Sequence, residues 1–388
     1  MQFSKRVAAF GDEIFAALDD RKNELVAQGR TIYNLSVGTP DFEVPSHIRQ
    51  ALIDAAADPD NWKYALHDLP ELKQAVCDYY HRRFDVEITP DMVCSCYGTQ
   101  EGMGHIGMVL CDEGDTVLLP TPCYPVFITG AAMAGATIHY YPMTEETNYL
   151  PDVTTIPDDV ADRAKYMVVS LPSNPMGSVG TAETYAQIIE FARRHDILVI
   201  HDNAYSDIIF DGRMGRSFLS YPGAAQVGVE FFSLSKSFDM TGARVSFLVG
   251  RPDVIAAFHK LRSQIDYGMF LPIQHAAIAA LTGPLDSVRR QCADYQARRD
   301  ALCNGLRSIG WDCRDSQGSM FMWAPVPERY ATSVDFCLDL MDRSGVICTP
   351  GSSFGPAGEG HVRFALVLPP DQIAKAVAAI DASGILKS

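Results

Sequence analysis

The 388-residue chain predicts an α/β fold: a large domain with a mostly parallel sheet flanked by helices, plus a smaller α+β domain formed by both chain ends. Three features lead there. Short apolar runs alternate with segments of helical period through the middle of the chain, the pattern of strand–helix units in a parallel sheet. Ile197–Ile200 is apolar without a break, as a strand covered on both faces must be. From about Asp286 the chain becomes more helical and charged, with Arg289, Arg290, Arg298, Arg299 and Asp300. The expected boundaries are residues 46–285 for the large domain, with 1–45 and 286–388 making the small one.

The elements follow in order. Met92–Cys96 reads as a strand, followed by Gly98 and a helix carrying Met103, Ile106 and Leu110 on one face. Thr116–Leu119 and Tyr166–Ser170 are the second and third strands. Tyr185, Ile188, Ile189 and Ala192 make the i, i+3, i+4, i+7 stripe of an amphipathic helix that feeds Ile197–Ile200. Phe231–Leu234 and Val245–Val249 are two more strands. In the last third, strands at Met320–Ala324 and Val362–Val367 precede a helix carrying Ile373, Val377 and Ile380. Residues Thr116 to Thr144 contain no Asp, Glu, Lys or Arg over 29 positions, enough to span a bilayer. Pro120, Pro122, Pro125 and Pro142 break that stretch. A strand, a proline-rich turn and a buried helix fit it better than a membrane span.

Charge narrows the partners. With 32 Lys+Arg against 48 Asp+Glu the formal charge is −16, and neither nucleic acid nor an anionic membrane is expected without a basic face. The ten cysteines are scattered and form no Cys-x-x-Cys. A reduced cytoplasm is therefore expected rather than a disulfide framework or a metal site. Lys5 and Arg6 are followed by Asp12 and Glu13, with no signal-peptide apolar core.

In open α/β sheets ligands collect where the strands end, and the residues there are unusual. Gly98-Thr99-Gln100 opens a helix, whose free N–H groups suit an anion or a plain N-cap equally. Ser173-Asn174-Pro175 follows the third strand, and Asp202-Asn203-Ala204-Tyr205 follows Ile197–Ile200. Asp202 alone could be an ordinary helix cap. Ser235-Lys236-Ser237 follows Phe231–Leu234, with Arg244 just beyond. A lone lysine is ordinarily a solvated surface charge. Lys236, one of nine lysines, instead follows directly on an apolar run, and a desolvated lysine becomes a nucleophile for carbonyl carbons. The ordered set suits a planar, phosphorylated, electrophilic ligand.

These blocks resemble the fold-type I pyridoxal-phosphate-dependent aminotransferases of classes I and II, over most of the chain from Asn34-Leu35-Ser36-Val37-Gly38 to Arg363. The resemblance implies that Lys236 holds pyridoxal 5'-phosphate as a Schiff base and later moves the substrate proton. Asp202 would pair with the pyridine nitrogen, Tyr205 and Asn174 with the phenolic oxygen, and Tyr124 would stack on the ring. Gly98, Thr99, Gln100, Ser233, Ser235 and Arg244 would surround the phosphate. Tyr64 would reach the phosphate of a neighbouring subunit, which implies a homodimer. Arg363, otherwise read as an edge-strand charge facing water, would grip the substrate α-carboxylate beside Gly38 and Asn174.

The implied activity is transfer of an amino group between an L-amino acid and a 2-oxo acid in the cytoplasm. The alternative is a lyase of the C–S β-lyase type or a decarboxylase on the same fold, since ring, lysine and aspartate serve all of these. The blocks around Gly98–His105 and Pro120–Phe127 are similar to LL-diaminopimelate and aspartate-type members. Arg262 is a candidate reader of a distal carboxylate. The loop carrying His67 and Asp68 lacks the glycine the family often has there, so Asp68 is expected to alter the dimer-side wall of the pocket and His67 to face the substrate.

Overall fold

The structure, a computed structural model, describes residues 13–387, with side chains from residue 18 onward. Lys5, Arg6 and Asp12, on which the reading of the amino terminus rests, lie outside the described residues. Twelve strands are present among the described residues: β1 (Tyr33–Asn34), β2 (Val93–Cys96), β3 (Thr116–Thr121), β4 (Thr137–Pro142), β5 (Ala164–Ser170), β6 (Leu198–Asp202), β7 (Gly228–Ser233), β8 (Ser246–Gly250), β9 (Phe321–Pro325), β10 (Val346–Ile347), β11 (Thr349–Pro350) and β12 (His361–Ala365).

Seven of them form one sheet in the order β2-β8-β7-β6-β5-β3-β4. The pairs from β4 to β7 are parallel, and β8 is antiparallel to both β7 and β2. It follows that β2 runs in the same direction as β7, so the carboxyl ends of β2, β5, β6 and β7 face one edge. Alternation sets the two faces. Val168, Ile200 and Phe231 pack with the helix Thr99–Leu110, whereas Met167, Val199 and Phe232 pack with Pro70–Phe84 and Ala182–His195. Side chains that alternate at period two and are buried on both sides make the uninterrupted apolar runs of the central strands.

A second sheet, β11-β12-β9, is antiparallel and backed by the helices Asp286–Ser308, Ser333–Ser344 and Pro370–Ser383. Leu18, Leu25 and Leu35 join this core, and β1 pairs in parallel with β10. Both chain ends therefore enter one hydrophobic cluster.

The eight expected strands are present with their ends shifted by up to three residues, whereas the short β1, β10 and β11 are unexpected, and three further features differ. The strand at Thr137–Pro142 is unexpected: Gly135, at φ 74°, caps the helix Pro125–Ala134 and releases the chain into an edge strand. An edge strand with only Tyr141 buried has no apolar run to betray it. Leu234 leaves the strand and begins a one-turn helix, Leu234–Ser237. Arg363 lies on the central strand of its sheet, buried, not on an edge facing water. No helix among the described residues is long and apolar enough to cross a membrane.

Candidate active site

A cavity of about 480 Å³ opens at the strand edge of the large sheet and is closed from the other side by β9 and β12. Thr99, Gln100, Tyr124, Asn174, Asp202, Tyr205, Ser233, Ser235, Lys236 and Arg244 line it, with Gly38 and Arg363 from the chain-end unit. At one end stands the amino terminus of Thr99–Leu110. Its cap, Gly98, has φ 85° and ψ 156°, and an added Cβ would lie 2.2 Å from Arg244 Nη2. Only glycine lets the guanidinium stand behind the helix start. Arg244 donates to the carbonyls of Thr241 (3.0 Å) and Tyr97 (3.3 Å), which aims its charge at the same place as the helix N–H groups. Ser233 accepts from the amide of Ser235 (3.1 Å), shaping the turn between them. Helix start, hydroxyls and guanidinium together form an anion-binding corner.

Lys236 projects from its one-turn helix to donate to the Gly38 carbonyl at 2.7 Å. Burial, reinforced by Arg363 and Arg244, lowers its pKa to about 8, so a far larger share of the amine is neutral near pH 7 than for an exposed lysine. Asp202 ends β6 almost wholly buried, and burial raises its carboxyl to about 6. Ser170 lies 3.4 Å from its Oδ2, whereas Oδ1 has no partner. A buried carboxylate oxygen left unpaired is costly, and a ligand N–H would satisfy it. Tyr205 stands three residues on, its phenol held well above the ordinary value by burial. Tyr124 donates to Gln100 Oε1 at 2.8 Å.

Arg363 is the other pole. Its Nη1 donates to Asn174 Oδ1 (3.0 Å) and its Nη2 to the Ser36 carbonyl (2.8 Å), while Nε has no partner. Phe321 and Phe354 bracket the guanidinium at 4.1 and 4.6 Å. Burial lowers its pKa to about 10, so it remains a cation at neutral pH. A planar cation sandwiched between rings presents a fixed fork to a carboxylate.

Two expected residues stand apart from the cavity. Gly98 acts from behind, as the helix cap. Tyr64 is exposed at 81% and packs against Tyr267 at 5.3 Å. Three further candidates lie outside this cavity within the single chain. Arg262 reads no distal carboxylate in this cavity: it is buried, bound at both ends to Asp266 (2.9 and 3.1 Å) and to the Ser95 carbonyl. Asp68 turns away to accept from the Ser95 amide and hydroxyl, and His67 stacks on His259 at 5.8 Å. Arg262 and Asp68 are thus engaged with Ser95 on β2, and His67 with a ring on the neighbouring helix. Sequence reasoning missed Phe321 and Phe354, since one phenylalanine in an apolar run and another in a Gly/Ser-rich turn carry no mark of a cation between them.

The sequence profile described as "Aminotransferase class I and II" matches residues 30–380. The chain belongs to the class I and II aminotransferases. An LL-diaminopimelate aminotransferase of Dehalococcoides mccartyi is 40% identical over 380 residues, covering 97% of this chain and 98% of that one. Among solved structures, a probable N-succinyldiaminopimelate aminotransferase from Thermus thermophilus has a TM-score of 0.90 at 29% identity, covering 96% of this chain and 100% of that one. An alanine aminotransferase from Pyrococcus furiosus has a TM-score of 0.91 at 28% identity, covering 98% and 99%. This aminotransferase is thus a transaminase, and the lyase or decarboxylase alternative is not favoured. Membership implies pyridoxal phosphate as cofactor.

Proposed function

We propose that the cavity holds pyridoxal phosphate on Lys236 and transfers the amino group of an amino acid whose α-carboxylate docks on Arg363. The observation that carries this reading is the unpaired, buried Asp202 Oδ1 in the same cavity as a desolvated lysine. When bound, the cofactor would supply an electron sink for a carbanion at the substrate Cα. The protein residues do the rest. Asp202 would keep a pyridine N–H protonated by staying ionised beside it. Thr99, Gln100, Ser233, Ser235 and Arg244, with the Gly98 cap, would hold the phosphate. Tyr124 would cover the ring, and Tyr205 and Asn174 would hydrogen-bond its phenolic oxygen. Asn174, through Oδ1, also orients Arg363. Lys236, in its neutral form, would take the proton from the substrate Cα and return it to the cofactor carbon that carries the amino nitrogen.

The diaminopimelate-type relative supports a donor with a charged distal end, such as LL-diaminopimelate, with a 2-oxo acid as acceptor. Among the described residues lining the cavity the cations are Lys236, Arg244 and Arg363, all assigned above, so the distal end meets a different chemistry. A homodimer is supported by exposed Trp62, Tyr64, Leu66 and Tyr267, with Tyr64 supplied to the other subunit's phosphate. The small domain of residues 1–45 and 286–388, against 46–285, is supported by a hydrophobic cluster drawn mainly from both segments, with Ala204, Tyr205, Ile208 and Phe210 joining it from the large one. A cytoplasmic location accords with ten free thiols.

The test is direct. Purified protein should show near-ultraviolet to violet absorbance that borohydride bleaches, with the adduct on Lys236, and Lys236→Ala should lose both. A donor panel of LL-diaminopimelate, glutamate, alanine and phenylalanine then ranks substrates. Preference for alanine or phenylalanine would remove the distal-charge reading.

A further inference from the structure

We propose that Asp207 is a positioning residue for Lys236: through Ser237 it keeps the lysine's turn in register with the loop that carries Asp202 and Tyr205. The inference rests on the assignment of Lys236 made above. The turn Leu234–Ser237 is four residues long, too short for its own hydrogen bonds to hold it rigid. Two side chains from elsewhere in the chain grip it. Ser237 donates its hydroxyl to Asp207 Oδ2 at 2.6 Å, and Gln291 donates from Nε2 to the Lys236 carbonyl at 2.9 Å.

The two struts differ in what they join. Gln291 comes from the helix Asp286–Ser308 and also donates to Asp239 Oδ1 (2.7 Å). Asp207 lies two residues past Tyr205 and five past Asp202 on the same loop. It is itself anchored, because Arg83 donates from Nε to Asp207 Oδ1 at 2.9 Å, and the pair is nearly buried, at 10% and 4% side-chain exposure. Arg83 also donates to the Gly215 carbonyl (3.0 Å), closing the loop after β6. One carboxylate thus binds the helix Pro70–Phe84, the Tyr205 loop and the lysine turn to each other.

The consequence is geometric. Nζ sits at the end of a flexible four-carbon stem, so a tilt of the turn is carried to the atom that moves the proton. A displacement of about 1 Å at such a site can cost roughly 10²-fold in rate. Asp207 does not line the cavity, so its effect passes through Ser237.

The experiment uses the cofactor-loaded enzyme and compares Asp207→Asn, Ser237→Ala and Ser237→Thr with wild type. Three quantities are read: single-turnover kcat and KM, the pH midpoint of the cofactor absorbance, and Tm. Ser237→Ala and Asp207→Asn should lower kcat by roughly tenfold or more, leave KM within about twofold, and displace the absorbance midpoint. Ser237→Thr, which keeps the hydroxyl, should restore both. A folded Ser237→Ala with wild-type kcat and midpoint overturns the proposal, as does a fall in Tm alone in all variants. Wild-type protein lacking borohydride-sensitive absorbance would instead overturn the cofactor reading, and this inference with it.

Discussion

At the scale of single residues, burial creates the reactivity. Lys236 is brought to about 8 chiefly by desolvation, with Arg363 and Arg244 adding to it. The sign is clear: a lowered lysine pKa favours the neutral amine, so the nucleophile is half present at about pH 8, predominates above it and is lost as pH falls below it. The rate at which apoprotein captures pyridoxal phosphate should rise about tenfold per pH unit up to about pH 8 and then level off. Stopped-flow absorbance from pH 6 to 9 checks this, and a flat profile would contradict the desolvated amine. Asp202 moves the opposite way, to about 6, because burial disfavours its charge. A cationic N–H on its free oxygen would draw that value back down.

At the scale of elements, glycine and a buried carboxylate set the strand ends. Gly98 occupies a backbone region that is essentially glycine-only, with Arg244 against it. Gly98→Ala should cost about 1–3 kcal/mol and weaken phosphate capture, read as a lower Tm and a raised dissociation constant for pyridoxal phosphate. Beneath the site, Glu230 on β7 is completely buried and accepts from Tyr80, Ser217, the Phe218 amide, Asn203 and His201. His201 and Glu230 are paired neighbours on β6 and β7. This network ties the strand bearing Asp202 to the strand leading to Lys236. Glu230→Ala, which strands several buried donors, should destabilise the fold by about 3–5 kcal/mol in denaturant melts.

The legibility of these elements has a physical pattern. Central strands were readable because both faces are buried, which forces continuous apolar runs such as Ile197–Ile200. The strand Thr137–Pro142 was not, because an edge strand has one covered face and its sequence is half polar. Asp202, Lys236 and Arg363 stood out as polar residues in or beside apolar runs. Asp207 and Ser237 did not, because hydroxyl and carboxylate in a loop look like any solvated pair until the fold brings them within 2.6 Å.

At the scale of the whole molecule, one face remains open. Trp62 packs edge-on against Phe270 at 5.2 Å, and Tyr64 lies against Tyr267, yet Trp62, Tyr64, Leu66 and Tyr267 stay exposed. Contiguous aromatic exposure of this kind marks an interaction surface. Trp62→Asp combined with Tyr267→Asp should shift sedimentation from dimer to monomer and abolish activity, because Tyr64 would no longer reach a second site. A fully active monomer would refute that arrangement. The surrounding charge of −16 sharpens the cavity's role, since Lys236, Arg244 and Arg363 make it a local basic well in an acidic protein.

By itself the sequence determined the α/β class, the strand ends that carry the chemistry, and the lysine–aspartate–arginine set, because apolar period and residue type are local properties of the chain. Only the tertiary structure decided which charges face the cavity. Arg363 faces it, held between Phe321 and Phe354, whereas Arg262, equally buried, is consumed by Asp266 and Ser95. A guanidinium goes where its partners are, and Asn174 and Ser36 for Arg363, or Ser95 for Arg262, are more than a hundred residues away and meet it only when the sheets have closed.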